Sequence, residues 1–214
     1  MSDIFREVDE ELKQDQYKKL WKKFGPTVIG VVVVIVAAVG GYQAWQAWDL
    51  DQRLDRSDRY AAALALQDSG SAEAAEEALA ALAEPGGDGY GLLAAFEQAR
   101  LRVEQGDSAG AIALWDQIAG NESAGDAFRG MAELLSVMHQ VDDGDPAALE
   151  ARLQPLTEVG SAFRPSALEL TAVLALRQGD TARARELYTA VADDRSAPPA
   201  LRTRATQMLE ALDG

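Results

Sequence analysis

Cysteine is absent from the 214 residues of the chain, which excludes disulfides, thiol nucleophiles, iron–sulfur clusters and cysteine-ligated zinc. The single histidine, His139, excludes multi-histidine metal sites and most histidine-based acid–base catalysis. Bases are also scarce, because 20 Lys and Arg stand against 35 Asp and Glu. The net charge of −15 argues against nucleic acid as a partner, since phosphate contacts require a basic patch. The sequence therefore predicts no cofactor, metal or small-molecule substrate.

The charges divide the chain into segments. Residues 1–27 carry six acids and six bases, residues 28–48 carry none, and the remaining residues hold 29 acids and 14 bases. We therefore expect a charged head at 1–27, a transmembrane helix at 28–48, a juxtamembrane linker at 49–54 and an acidic body at 55–214.

The uncharged segment has the length of a membrane span. As a helix its 21 residues reach about 31 Å, which is the thickness of a bilayer core. Lipid also favours a helix, because every backbone polar group must be paired internally. Pro26 suits the first turn of such a helix. We assign the anchor to apolar residues and to aromatic residues at the exit, namely Val28, Ile29, Val31, Val32, Val33, Val34, Ile35, Val36, Val39, Tyr42, Trp45 and Trp48.

Two other interpretations of this segment remain open. Ala38-Val39-Gly40 has the small residues of a signal-peptide cleavage site, and a buried core helix of a soluble protein is also apolar. The long mixed-charge leader and the length of the apolar run favour an uncleaved anchor.

The topology follows from the flanking charges. Lys18, Lys19, Lys22 and Lys23 precede the span, whereas Asp49 and Asp51 follow it directly. The positive-inside rule then places the head in the cytoplasm and the body across the membrane. A body without thiols suits an oxidising space such as the periplasm.

Glycines recur along the body at a helical-repeat period. Gly70, Gly106, Gly144 and Gly179 are separated by 36, 38 and 35 residues. The segments between them are rich in Ala, Leu, Glu and Arg and lack strand-like alternation, which indicates an all-α fold. A period near 34 residues is typical of tetratricopeptide repeats, in which each unit is a helical hairpin.

Positions at fixed offsets from these glycines are apolar in every unit. Small residues recur seven positions before the glycine and large ones nine positions after it, so that neighbouring helices can approach and fill the gap. We expect the repeat packing to rest on Ala99, Ala111, Trp115, Ile118, Ala172, Ala184, Tyr188 and Val191. The predicted body is a right-handed α-solenoid of three and a half to four hairpins and a last helix at about 200–212. The register of the unit at 123–160, which contains Pro155, stays open.

Four motifs in this order resemble the ancillary SecYEG translocon subunit family, the YfgM-like proteins. They are Tyr17–Gly25 in the head, Gly41–Trp45 at the exit of the span, Tyr90-Gly91 before a helix at 92–105, and Leu174–Asp180 running into Ala182–Leu187. The resemblance implies a bacterial inner-membrane protein, single-pass and without enzymatic activity. It also implies binding to the Sec translocon and to a membrane-anchored periplasmic chaperone, and a role in passing secreted chains onward.

A structural scaffold for envelope assembly or cell division is the alternative function, and an enzyme is a more distant one. Two motifs could be taken for ligand-binding sites, but both have structural explanations. The glycine-rich segment 86–91 lacks the preceding strand of a dinucleotide site, so we interpret it as a connector between repeats. His139 lies near a predicted helix end, where a histidine is favourable without any ligand.

Overall fold

The computed structural model describes residues 2–84 and 89–213. For residues 2–21, 25, 27 and 28 the description covers the backbone and not the side chain. The described residues form nine α-helices and two short 3₁₀ helices and contain no strand, so the all-α prediction is confirmed. The helices are α1 (Ser2–Asp68), α2 (Ala72–Leu82), α3 (Gly89–Glu104), α4 (Ser108–Ala119), α5 (Asp126–Met138), α6 (Pro146–Leu153), α7 (Arg164–Arg177), α8 (Thr181–Asp193) and α9 (Pro199–Asp213). The chain divides into two compact units, at residues 1–55 and 56–214.

The first unit is helical throughout its described length. Pro26, expected in the first turn of a helix, lies instead well inside α1. The expectation failed because the charge boundary at residue 27 marks a change of composition and not a helix start. Residues 49–54, expected as a linker, are also helical and belong to α1. No glycine or proline interrupts them, so nothing in their sequence ends the helix.

The second unit consists of four helical hairpins followed by a single helix. The first hairpin pairs residues 56–68 of α1 with α2, and the next three pair α3 with α4, α5 with α6 and α7 with α8. The final helix, α9, packs on α8 through Leu201 and Ala205, which are buried in the same cluster as Tyr188. It covers the last hairpin, as the sequence predicts for a terminal helix at 200–212.

Glycines make the hairpin turns in two different ways. Gly70, Gly106 and Gly179 have φ angles of 80°, 85° and 78°, in the left-handed region that other residues rarely adopt. Gly144 has no such angle. A Cβ atom there would lie 2.8 Å from the side chain of Leu149, so this glycine serves close packing.

The aspartate after each of the last three turn glycines begins the next helix. The carboxylates of Asp107, Asp145 and Asp180 accept hydrogen bonds from backbone N–H groups three residues further on, at 2.9, 3.0 and 3.0 Å. Such caps satisfy N–H groups that the first helical turn leaves unpaired. The recurring Gly-Asp pair is therefore a turn followed by a helix start.

Candidate protein-binding surface

The structure places the predicted repeat-packing residues in the interior of the second unit. All eight are at most 3% exposed: Ala99, Ala111, Trp115, Ile118, Ala172, Ala184, Tyr188 and Val191. Trp115 and Tyr188 occupy the same position in their hairpins, nine residues after the turn glycine, and each fills the space left by small neighbours. Burial raises the pKa of the Tyr188 hydroxyl, and the charge of Glu169 adds to this.

His139 contributes to the packing around Trp115. It caps the C-terminal end of α5, and its ring stacks on the indole with the ring centroids 4.9 Å apart. The nearby Asp145 caps α6. Among residues 2–84 and 89–213, no group of three or more histidine and carboxylate side chains is placed to hold a metal ion. The histidine thus has a packing contact that the sequence does not reveal, because its partner lies in the preceding hairpin.

A polar cluster joins the second and third hairpins. The Arg152 guanidinium donates hydrogen bonds to Asp116 and Glu133 at 2.6 Å and to the Ser136 hydroxyl at 3.0 Å. Ser136 is fully buried and also accepts a hydrogen bond from Gln140 at 2.9 Å. Because the buried Ser136 hydroxyl has hydrogen-bond partners, its burial costs little.

Arginines also connect hairpins further along the chain. Arg204 on α9 forms a two-point ion pair with Glu169 on α7, at 2.5 and 2.6 Å. Arg183 on α8 pairs in the same way with Glu150 on α6. These arginines therefore connect neighbouring helices, and although Arg204 and Arg183 are 58% and 42% exposed, each has its charge paired with a carboxylate.

The second helix of the third hairpin is short. α6 ends at Leu153 after eight residues, whereas α4 and α8 have 12 and 13, and Pro155 lies in the 3₁₀ helix that follows. A cleft of about 480 Å³ opens on one side of it and another of about 470 Å³ on the other. Charged side chains line both clefts, including Glu150 with Arg183 in one and Glu133 with Arg152 in the other.

Aromatic side chains run along the row formed by the first helix of each hairpin. Tyr60 on α1 lies against Tyr90 on α3, with ring centroids 5.7 Å apart. Phe96 on α3 lies against Phe128 on α5, with centroids 6.2 Å apart. Burial raises the pKa of Tyr60, and the negative charge of Glu97 adds to this. Equivalent ring pairs thus join consecutive first helices.

The most exposed apolar side chains of this row lie on α5. Phe128, Met131 and Met138 are 40%, 41% and 43% exposed, and Leu135 between them is partly buried. Their spacing of 3, 4 and 3 residues places them on one face of the helix. We call these four residues the α5 stripe. The sequence did not predict the α5 stripe, because apolar residues at helical spacing usually face a core. One signal was available, since Leu93 and Met131 occupy the same position relative to the turn glycines of their hairpins.

The predicted anchor side chains are all exposed where the structure describes them. The exposure lies between 51% and 67% for Ile29, Val31, Val32, Val33, Val34, Ile35, Val36, Val39, Tyr42, Trp45 and Trp48. Lys22 and Lys23 are exposed too. The side chains of Lys18, Lys19 and Val28 lie outside the described residues, as do residues 86–88, the first half of the glycine-rich segment.

Within the described part of the chain, one helix is long and apolar enough to cross a membrane. Its most apolar window begins near the N-terminus and has a mean hydropathy of 1.6. None of that window is buried, which argues against the interpretation as the core helix of a soluble protein, since such a helix is mostly covered.

A family model described as a tetratricopeptide repeat-like domain matches residues 18–212. The match includes the end of the head, the apolar segment and all four hairpins. No curated protein and no solved structure matches the chain.

Proposed function

Because the chain belongs to the tetratricopeptide repeat-like domain family, in which repeats are typically protein-interaction modules without catalysis, we propose that it is a membrane-anchored binding protein of the bacterial envelope. In this proposal the body lies in the periplasm and acts as an accessory of the Sec translocon. It receives secreted chains and helps to pass them to periplasmic chaperones.

The observation that carries the proposal is the combination of an unburied apolar helix and a hairpin stack in one chain. Tethering a binding module to the membrane raises its local concentration beside a membrane channel, up to about the millimolar range. Weak contacts with many different client sequences then become useful. The exposed apolar side chains on the first helices provide such contacts.

The distribution of lysine offers a sharp test of topology. All five lysines lie between Lys13 and Lys23, and every base after that is arginine. A membrane-impermeant amine reagent should therefore leave the protein unlabelled in intact spheroplasts, where the head is inside, and label it in inverted inner-membrane vesicles. If the reagent carries biotin, a blot for biotin measures the difference in labelling between spheroplasts and inverted vesicles.

A single lysine in the body provides the matched control. Arg195 is exposed and belongs to the second unit, and Arg195→Lys retains the charge. This variant should become labelled in spheroplasts. Labelling of the unmodified protein in spheroplasts would contradict the proposed orientation and place the head outside the cytoplasm.

Photo-crosslinking in living cells tests the proposed partners. Photoreactive residues at exposed positions on both helix rows of the body should capture translocon components and a membrane-anchored chaperone. A body secreted without its span should lose most of the translocon capture, because its effective concentration at the channel falls. Capture of cell-wall enzymes alone, with normal secretion in a deletion strain, would instead support the scaffold function.

A further inference from the structure

We propose that the α5 stripe binds an amphipathic helix of a partner protein that carries lysine or arginine beside its apolar face. The inference rests on the proposed function in one respect, namely that the body binds proteins. It adds the chemistry of the partner and the residues that contact it.

The size and composition of the stripe suit a short helix. From Phe128 to Met138 the stripe covers eleven residues, and the rise from the first to the last is about 15 Å, or nearly three helical turns. Its three most exposed members are a phenylalanine and two methionines. Methionine is unbranched and polarisable and adapts to partners of different shape. Helices that lie in apolar grooves are commonly held by anchors at this spacing.

A helix fits the stripe better than an extended segment. The exposed side chains of Phe128, Met131 and Met138 offer no N–H or C=O group to a partner backbone. An extended segment pressed onto them would bury unpaired backbone groups, at a cost of about 1–3 kcal/mol for each. A helix pairs these groups within itself, so only its apolar side chains need to be accommodated.

The surrounding charge favours a cationic partner. Residues 89–138 contain seven acids and three arginines. Each of these arginines already has a carboxylate partner, since Arg100 pairs with Glu97 and Glu104, Arg102 with Glu76, and Arg129 with Asp126. Asp116 and Glu133 pair in turn with Arg152. Counting Glu76, eight carboxylates therefore face four arginines, so negative charge is still in excess. Complementary charge accelerates association and excludes acidic competitors.

Fluorescence anisotropy with a synthetic probe tests the proposal. The probe is a labelled helical peptide of leucine and lysine, and the full chain is held in nanodiscs of phosphatidylcholine, with empty nanodiscs as the background. We expect saturable binding that weakens with added salt. The double variant Met131→Gln, Met138→Gln should bind about tenfold more weakly, equal to about 1.4 kcal/mol. Both side chains are more than 40% exposed, so the fold is retained.

Two controls make the outcome decisive. Val159 is 94% exposed on the connection between α6 and α7 and is not part of the stripe, and Val159→Gln should bind the peptide as the unmodified protein does. A peptide of leucine and glutamate should bind far more weakly. Equal binding by the double variant and the unmodified protein would overturn the site, and equal binding of the acidic peptide would overturn the partner chemistry. Neither outcome would affect the topology and capture experiments, which do not depend on the stripe.

Discussion

Replacing Trp115 with alanine is expected to lower the free energy of unfolding of the body by about 3–5 kcal/mol. The indole is 3% exposed and lies in the cluster that joins the second and third hairpins. The same cluster contains Ala99 and Ala111, whose short side chains cannot extend to fill the space. The substitution leaves a cavity and also removes the ring on which His139 stacks. Urea denaturation of the full chain in detergent, followed by circular dichroism, measures the loss.

Trp45 provides the matched control for this experiment. It is 58% exposed and lies in the first unit, so Trp45→Ala should change the stability of the body by no more than about 0.5 kcal/mol. A loss below about 1 kcal/mol for Trp115→Ala would contradict the proposed role of this residue in joining the hairpins.

Two arginines in the middle of the span should release the protein from the membrane. Each arginine opposes membrane insertion by about 2.5–3.5 kcal/mol at the centre of a transmembrane helix. The valine that it replaces favours insertion by about 0.3–0.6 kcal/mol. The variant Val36→Arg, Val39→Arg therefore loses about 6–8 kcal/mol of insertion free energy. The nine Val and Ile residues of the segment together contribute only about 3–5 kcal/mol.

Fractionation after a carbonate wash measures this effect. The arginine variant should leave the membrane pellet, whereas Val36→Leu, Val39→Leu should stay in it, because leucine is as apolar as valine on the same scale. If the arginine variant stays in the pellet as completely as the unmodified protein, the segment is not the anchor.

The repeated features of the body could be predicted because they depend on local sequence. The turn at Gly106 and the cap at Asp107 are encoded by adjacent residues, and the same pair recurs at Gly179 and Asp180. The large residue nine positions later must then be buried, since each hairpin repeats the same geometry. Periodicity alone therefore locates Trp115 in the core.

Features that depend on contacts between distant residues could not be predicted. Arg152 meets Asp116 across 36 residues, and no local pattern distinguishes it from an exposed arginine. The α5 stripe has the same helical spacing as a buried face, so only the placement of neighbouring helices reveals that it is uncovered. The continuity of α1 through Pro26 was missed because charge boundaries resemble helix boundaries.

The restriction of lysine to the head has a chemical consequence for the remainder of the chain. Residues 24–214 contain neither a thiol nor a side-chain amine, which are the groups that aldehydes, quinones and other electrophiles modify most readily. Arginine remains protonated and is a poor nucleophile at neutral pH. The remaining nucleophiles include His139, which is stacked on an indole, and the methionine thioethers, of which Met131 and Met138 are exposed. The body should therefore escape reagents that act on amines or thiols, which would modify or crosslink a lysine-rich protein.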